Sequence, residues 1–459
     1  MAKKVVIRGG IVSTDTDVFQ ADVVIDGEVV SGLTTDSSDI DADEVIDATD
    51  KLVIPGGIDA HTHFKDPDPN EIEGFYYGSM GAVAGGISSV VEMPQATPVA
   101  SEAAHIKEKI ELGEKKSLVD FALWGAAINQ DVESIEEMID TGIAAVKSFM
   151  AGSSPGFPRI TDASMYDVFA LLADSDVPYG LHAENDELLQ DGINTLQEAG
   201  ENDPLAHADS RPPIVEAEAI NRAIFFAEET GARAYICHTS TVSGLELVRR
   251  AKDRGVRVEV ETCPQYLALD TDDLVKLGPF GRCAPAIRER DEVELLWTYV
   301  QDGTMDVISS DHCGYTIESK EAGKDNIWNA PLGLSGIQTM FPAMLDEFIH
   351  KRDLDFTDFV RVSSTNPAKI FGSYPRKGSL RPGSDADIAI YDLNAPWTAT
   401  GADMLHKNKW TPFEGKKIGV RVVRTLVRGA TMYEFNGEHV VHGQQGHGRF
   451  INREYGVGG

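Results

Sequence analysis

The sequence predicts an α/β fold: a (β/α)8 TIM-type barrel with a small β-sandwich domain formed by both chain termini. Three observations predict it. Brief apolar runs alternate with amphipathic stretches through the middle of the chain, eight of those runs end in polar residues, and both ends read as short strands joined by tight turns.

The eight runs are "LVIPGGIDAHTH", "ISSVVEMP", "VDFALWGAA", "AAVKSFM", "PYGLHAEN", "AYICHTS", "VRVEVETCPQYL" and "DVISSDH". Between them lie stretches with helical spacing, such as "EAAHIKEKIELGEKK", "VEAEAINRAIFFAEETG" and "GLELVRRAKDRG". Eight parallel strands with intervening helices close a barrel over residues 55–375, with its active site at the C-terminal ends of the strands. Residues 1–54 hold the short β segments "KKVVIRGGIVS", "ADVVIDGEVVSGL" and "EVIDATDKLVI". Residues 376–459 answer with "DADIAIYDL" and "RVVRTLVRGATMYEFNGEHVV", so the two ends form one composite small β domain.

Composition narrows the class. With 459 residues, 42% of them hydrophobic, the chain can bury a large core. Its 74 acidic against 41 basic residues leave a formal charge of −33, which repels nucleic acid. A dispersed acidic excess costs self-repulsion that high ionic strength screens, so we read it as an adaptation to a salt-rich cell interior. The N-terminal "MAKKVVIRGG" has too short an apolar run for a signal peptide, and no stretch approaches a membrane span. The expected location is the cytoplasm. Cys237, Cys263, Cys283 and Cys313 lie far apart with no C-x-x-C pair, as expected of reduced thiols.

The strand ends carry the chemistry. A strand sends alternate side chains to one face, so His61 and His63 converge. Lys147 lies on the fourth strand, His182 on the fifth, His238 on the sixth and Asp311 on the eighth. Each residue alone is more often an ordinary surface lysine or core histidine; the six together, in barrel order, are not an accident of composition. Four imidazoles and a carboxylate suit divalent zinc or its neighbours. An ammonium is no ligand, but a neutral lysine can take up carbon dioxide and become a carbamate, an anion with two oxygens able to bridge two cations. His312 follows Asp311 directly and is expected to face away, in a structural hydrogen bond. Around His439, His442 and His447, glycine and glutamine suggest a flexible tail or a subunit contact.

"GGIDAHTHFKDP", "GGISSVVEMP", "AVKSFMA", "HAEND", "ICHTS", "ETCPQYL", "SSDHCG" and "KGSLRPGSDADIAIYD" together resemble the cyclic amidohydrolases: hydantoinases, allantoinases, dihydropyrimidinases and dihydroorotases. The resemblance covers nearly the whole chain. It implies a binuclear centre in which His61, His63 and Asp311 hold one divalent ion, His182 and His238 hold the other, and carboxylated Lys147 bridges them. It implies a hydroxide shared by the two ions, with Asp311 as acid and base, ring opening to an N-carbamoyl product, and a homo-oligomer, dimer or tetramer. Lys65, Gln95, Cys263 and Leu332 are the expected substrate contacts.

Two other readings compete. A deaminase on the same barrel uses one metal and no bridging lysine. A dihydropyrimidinase-like scaffold without activity has lost ligands, whereas all six positions are filled here. Within the family, dihydroorotases hold their substrate's carboxylate with an arginine, two asparagines and a histidine where this chain has Lys65, Gln95, Ala284 and Tyr315. "MAGSSPGFP" also lacks the tyrosine of dihydropyrimidinases and of hydantoinases of the other hand. The segments "VDFALWG" and "LGLSGIQ" look more like L-hydantoinases and allantoinases, so a hydantoin-type five-membered ring is the expected substrate, with dihydroorotate the alternative.

Overall fold

A computed structural model describes residues 3–153 and 156–453. Its centre is a ring of parallel strands in chain order: Gly57–His63, Ile87–Glu92, Asp120–Ala126, Ala145–Phe149, Tyr179–His182, Ala234–Ile236 and Val258–Thr262. The eighth strand is split. Val307–Ile308 pairs with the seventh strand and His312–Cys313 with the first, so the barrel closes across an interruption at 309–311. Two buried carboxylates hold the interruption: the Ser309 hydroxyl donates to Glu261 at 3.0 Å while its N–H still reaches the Thr262 carbonyl of the seventh strand at 3.1 Å, and the Ser310 N–H donates to Asp59 at 3.0 Å in place of a strand neighbour.

Apolar runs become strands here because both faces of a barrel strand are covered, by the interior on one side and by helices on the other. The first three barrel strands are buried along their whole lengths. Helix boundaries follow local chemistry. The helix Gly74–Ala84 stops at the pair Gly85–Gly86, where Gly86 has φ 84°, a left-handed conformation that costs glycine little. A Cβ there would also lie 2.1 Å from the Tyr391 hydroxyl. The long helix Pro213–Thr230 has proline in its first turn and ends before Gly231 at φ 77°.

A second sheet of nine strands joins the two ends of the chain. Lys4–Ser13 runs antiparallel to Val18–Asp26 and parallel to Leu52–Pro55, which in turn runs antiparallel to Ile388–Asp392. Val5, Ile7, Val23, Ile25, Ile388 and Leu426 belong to this sheet's own apolar cluster. The histidine-containing C-terminal stretch is not a flexible tail: His439–Val441 pairs with Ala430–Phe435 as the sheet's last strand. Its three histidines have separate partners, Tyr433 for His439 at 2.8 Å, Glu434 for His442 at 3.4 Å and the Val427 carbonyl for His447 at 3.3 Å. No helix among the described residues is long and apolar enough to cross a membrane.

One ion cluster ties the sheet to the barrel. Lys377, 1% exposed, meets Asp387 at 2.7 Å, Asp385 at 2.8 Å and Asp120, the first residue of the third barrel strand. Arg428 also pairs with Asp120. Three carboxylates around one lysine have the look of a cation site, but the ammonium already neutralises them. Removing it would leave buried like charges facing one another, so Lys377→Met should lower the folding free energy by about 3–5 kcal/mol. Denaturant unfolding measures this directly; a loss under about 1 kcal/mol would mean that the cluster does not hold the two sheets together.

Candidate metal centre

Strand alternation turns His61 and His63 to the same side of the first barrel strand, with ring centroids 5.1 Å apart. The interruption of the eighth strand delivers Asp311 to them. Its Oδ1 lies 3.0 Å from His63 Nε2 and 3.3 Å from His61 Nε2, so three ligating atoms converge. Across the barrel, His182 Nδ1 and His238 Nε2 face each other at 3.1 Å. His238 sits just past the sixth strand with φ 37°, and Asp311 has φ 49°. Such left-handed conformations cost about 1–3 kcal/mol each in residues other than glycine. Here both fall on converging side chains, and hydrogen bonds hold them: the His238 N–H donates to Glu261 at 2.9 Å, and Asp59 accepts from Ser310.

Partners on the far side of each ring decide which nitrogen carries a lone pair. His61 Nδ1 donates to Glu261 at 2.8 Å, leaving Nε2 free towards Asp311. His182 Nε2 donates to Glu184 at 2.7 Å, leaving Nδ1 free towards His238. Burial holds His61, His63 and His238 below the usual histidine range, so these rings are neutral, as ligands must be. Burial raises the Asp311 carboxyl above its usual range, against the opposing pull of His61.

Lys147 lies between these two sets on the fourth strand. It is fully buried, its Nζ has no hydrogen-bond partner among the described residues, and it stands 5.1 Å from the Phe149 ring centroid. Its charge acts on His61 and His63 on one side and on His238 on the other. An unpaired ammonium buried among neutral imidazoles is costly, whereas an anion at that place would complete a donor set for two cations. The residues therefore fit a pair of divalent ions with a carbamate between them.

Sequence reasoning missed the carboxylates behind the rings. Glu261 accepts from His61, the His238 backbone, Tyr235 at 2.7 Å and Ser309 at 3.0 Å. Glu184 accepts from His182 and, at 2.6 Å, from Arg211, whose charge with the His182 hydrogen bond outweighs burial and holds the carboxyl below its usual range. A signal was available for both: each is an acidic residue at the C-terminal end of a barrel run. His312 does face away, with Nε2 2.7 Å from Glu73.

The converging residues open into a cavity of about 770 Å³. Lys65, Gln95 and Leu332 line it, as do Ala284 and Tyr315. Lys65 Nζ lies 4.0 Å over the Tyr315 ring. Cys263 does not line it. That side chain is fully enclosed in the apolar core that also holds Tyr266 and Leu267, because the chain turns into the short helix Pro264–Ala268 immediately after it. Burial also keeps the thiol protonated.

Comparison with known proteins agrees with this geometry. An L-hydantoinase of Paenarthrobacter aurescens is 35% identical over 445 residues, covering 96% of each chain. An allantoinase of Rubrobacter xylanophilus is 37% identical over 449 residues, covering 97% of each. The solved structure of an L-hydantoinase (dihydropyrimidinase) from Arthrobacter aurescens superposes with a TM-score of 0.95 at 33% identity, over 99% of this chain and all of that one. Residues 52–432 match the amidohydrolase family, and with the converging histidines, lysine and aspartate inside a barrel of that shape, the chain belongs to it.

Proposed function

We propose that this protein hydrolyses cyclic amides, opening a hydantoin-type five-membered ring, a substituted hydantoin or allantoin, to an N-carbamoyl product. The observation that carries the reading is Lys147, buried without a hydrogen-bond partner among the described residues between two sets of buried histidines. In this reading His61, His63 and Asp311 would hold one ion and His182 and His238 the second, and Lys147, as a carbamate, would supply an anionic donor to the pair. Zinc is the proposed metal, from the mixed nitrogen and oxygen donors. Ions bound there supply Lewis acidity, polarising the ring carbonyl and making water acidic near neutral pH.

The chain's own residues do the rest. Asp311 accepts a proton from the attacking water at Oδ2, the oxygen not turned to His61 and His63, and returns it to the ring nitrogen as the C–N bond breaks. Glu261 and Glu184 keep His61 and His182 in the tautomers described above. Lys65, Gln95 and Leu332 lie along the wall against which the ring substituent packs. The barrel of residues 55–375 carries this chemistry, and the composite unit of 1–54 and 376–459 supports it through the Lys377 cluster.

The relatives' names support a five-membered ring. So does the cavity: Lys65, Gln95, Ala284 and Tyr315, the four departures from the dihydroorotase pattern, all border it. Lysine keeps a charge at the first of these but not the planar fork of arginine. The test is turnover of hydantoin, allantoin, dihydrouracil and dihydroorotate, in low and in molar salt. Hydantoin or allantoin should be opened fastest. If dihydroorotate is the best substrate and Lys65→Met abolishes its turnover, the protein is a dihydroorotase instead.

Lys147→Met should abolish turnover and reduce bound metal from two ions per chain to at most one, while the metal-free protein unfolds no more easily than the wild type. Two ions and full activity in that variant would rule out the bridging role. Glu261→Gln offers an amide N–H₂ group where only donors approach, so metal affinity measured by competition with a chelator should fall about 10–100-fold. The acidic surplus is read as an adaptation to salt: the thermal midpoint should rise from low salt to molar potassium chloride, and a flat or falling midpoint would remove that reading.

A further inference from the structure

The cavity wall beside His182 holds two arginines, and their charges do not balance. Arg211 is 3% exposed and Arg282 is 9% exposed, and both line the cavity. Arg211 is neutralised by Glu184 at 2.6 Å. Arg282 has no carboxylate partner among the described residues: one terminal nitrogen donates to the carbonyls of Trp328, at 3.0 Å, and Ala330. The guanidinium stands 5.8 Å from the Trp328 ring centroid. Burial, and then the like charge of Arg211, lowers its pKa to about 10, so it remains a cation at neutral pH. Among the described residues the Nε atoms of both arginines are enclosed without a hydrogen-bond partner, and so is Glu184 Oε1.

In a chain of net charge −33, an unneutralised buried guanidinium is conspicuous. Its desolvation costs several kcal/mol unless an anion arrives to face it. The segment is also held firmly. Lys320, itself fully buried, donates to the carbonyls of Arg282 at 3.0 Å, Pro331 at 3.0 Å and Gly333 at 2.9 Å, which clamps the Arg282 backbone to the loop carrying Leu332. The remaining terminal nitrogen of a guanidinium on a clamped segment is preorganised for a charge-assisted bond to a carboxylate.

We propose that Arg282, with Arg211 beside it, is the reader of an anionic substituent on the ring substrate, so that the preferred substrates are cyclic ureides carrying a carboxylate-terminated side chain. The inference rests on the cyclic-amide reading of the metal centre and narrows it. The carboxylate takes the unpaired charge of Arg282, and Glu184 Oε1 accepts an N–H of the ureide. This subsite is distinct from Lys65 and Gln95, which lie on segments that follow the first and second barrel strands.

The experiment compares substrates that differ in charge alone: carboxyethyl-hydantoin and its uncharged isostere carbamoylethyl-hydantoin, with the zinc-loaded full-length protein. The ratio of kcat/KM, charged over neutral, should be at least about tenfold in the wild type, carried by KM, and should fall towards one in Arg282→Gln. Arg282→Lys, which keeps the charge and loses the fork, should restore part of the ratio. Calorimetric binding of N-carbamoyl-glutamate against N-carbamoyl-glutamine gives the same comparison without turnover. A wild-type ratio near one, or an Arg282→Gln variant that loses both substrates in equal proportion, overturns the proposal. If neither ring is opened while the charged ligand still binds in an Arg282-dependent way, the hydrolase reading falls and the anion subsite stands.

Discussion

A carboxylate buried at the core of a barrel must collect donors or lose its charge, and Glu261 collects four. They come from the first strand through His61, from the sixth through Tyr235 and from just beyond it through the His238 backbone, and from the broken eighth through Ser309. One side chain on the seventh strand therefore orients a ring on one side of the site and holds the left-handed backbone of a residue on the other. It also anchors the near side of the gap in the eighth strand: the Ser309 N–H keeps its bond to the Thr262 carbonyl of the seventh strand at 3.1 Å while its hydroxyl turns inward to Glu261, and from Ser310 onward the backbone bonds to Asp59. Without that gap Asp311 would continue the pleat and would not reach His61 and His63.

The pattern repeats at smaller scale. Glu184 orients His182 and is itself held by Arg211; Glu92 accepts from Thr62 and from the backbone of Phe64 and Lys65, with Lys109 at 3.3 Å; Glu216 pairs with Arg288 at 3.2 Å. Each of these interior acids has its own cation or a set of donors, so the acidic surplus of the chain resides outside the core. That distribution is why the net charge can be large without unfolding the barrel, and why ionic strength, which screens exposed charges and hardly reaches buried pairs, is the relevant variable for it.

Much of this was legible in the sequence, for a definite reason. Histidines, a lysine and an aspartate at the ends of apolar runs stand out because strand periodicity turns alternate residues inward, and because such runs otherwise hold only apolar side chains. His61, His63, Lys147, His182, His238 and Asp311 were all visible in this way. Glu261 and Glu184 were equally out of place in their runs, but a carboxylate beside a ring and one behind it look the same until the fold supplies direction. Cys263 was misjudged for the same lack of direction. It follows a strand that ends at the mouth, yet the helix starting at Pro264 turns its thiol into the core. The stretch around His439 looked loose because glycine and glutamine dilute its apolar content, but strand pairing is a backbone property, and Ala430–Phe435 offered a free edge.

Buried cations invert the rule that the interior acids obey. Lys377 has its three aspartates, Lys109 has Glu92, and Lys320 spreads its charge over three backbone carbonyls. Among the described residues Lys147 has no such partner, and Arg282 has two backbone carbonyls but no carboxylate. A stable fold gains nothing from an uncompensated charge in its interior, so the compensation must come from what the protein binds or how it is modified. At Lys147 the proposed carbamate would bring a negative charge between the two groups of converging side chains. At Arg282 the missing charge is negative and must arrive through the cavity, which is the requirement a substrate meets. Both deficits adjoin one reaction space, and the charge that the fold leaves unbalanced there marks what it is built to receive.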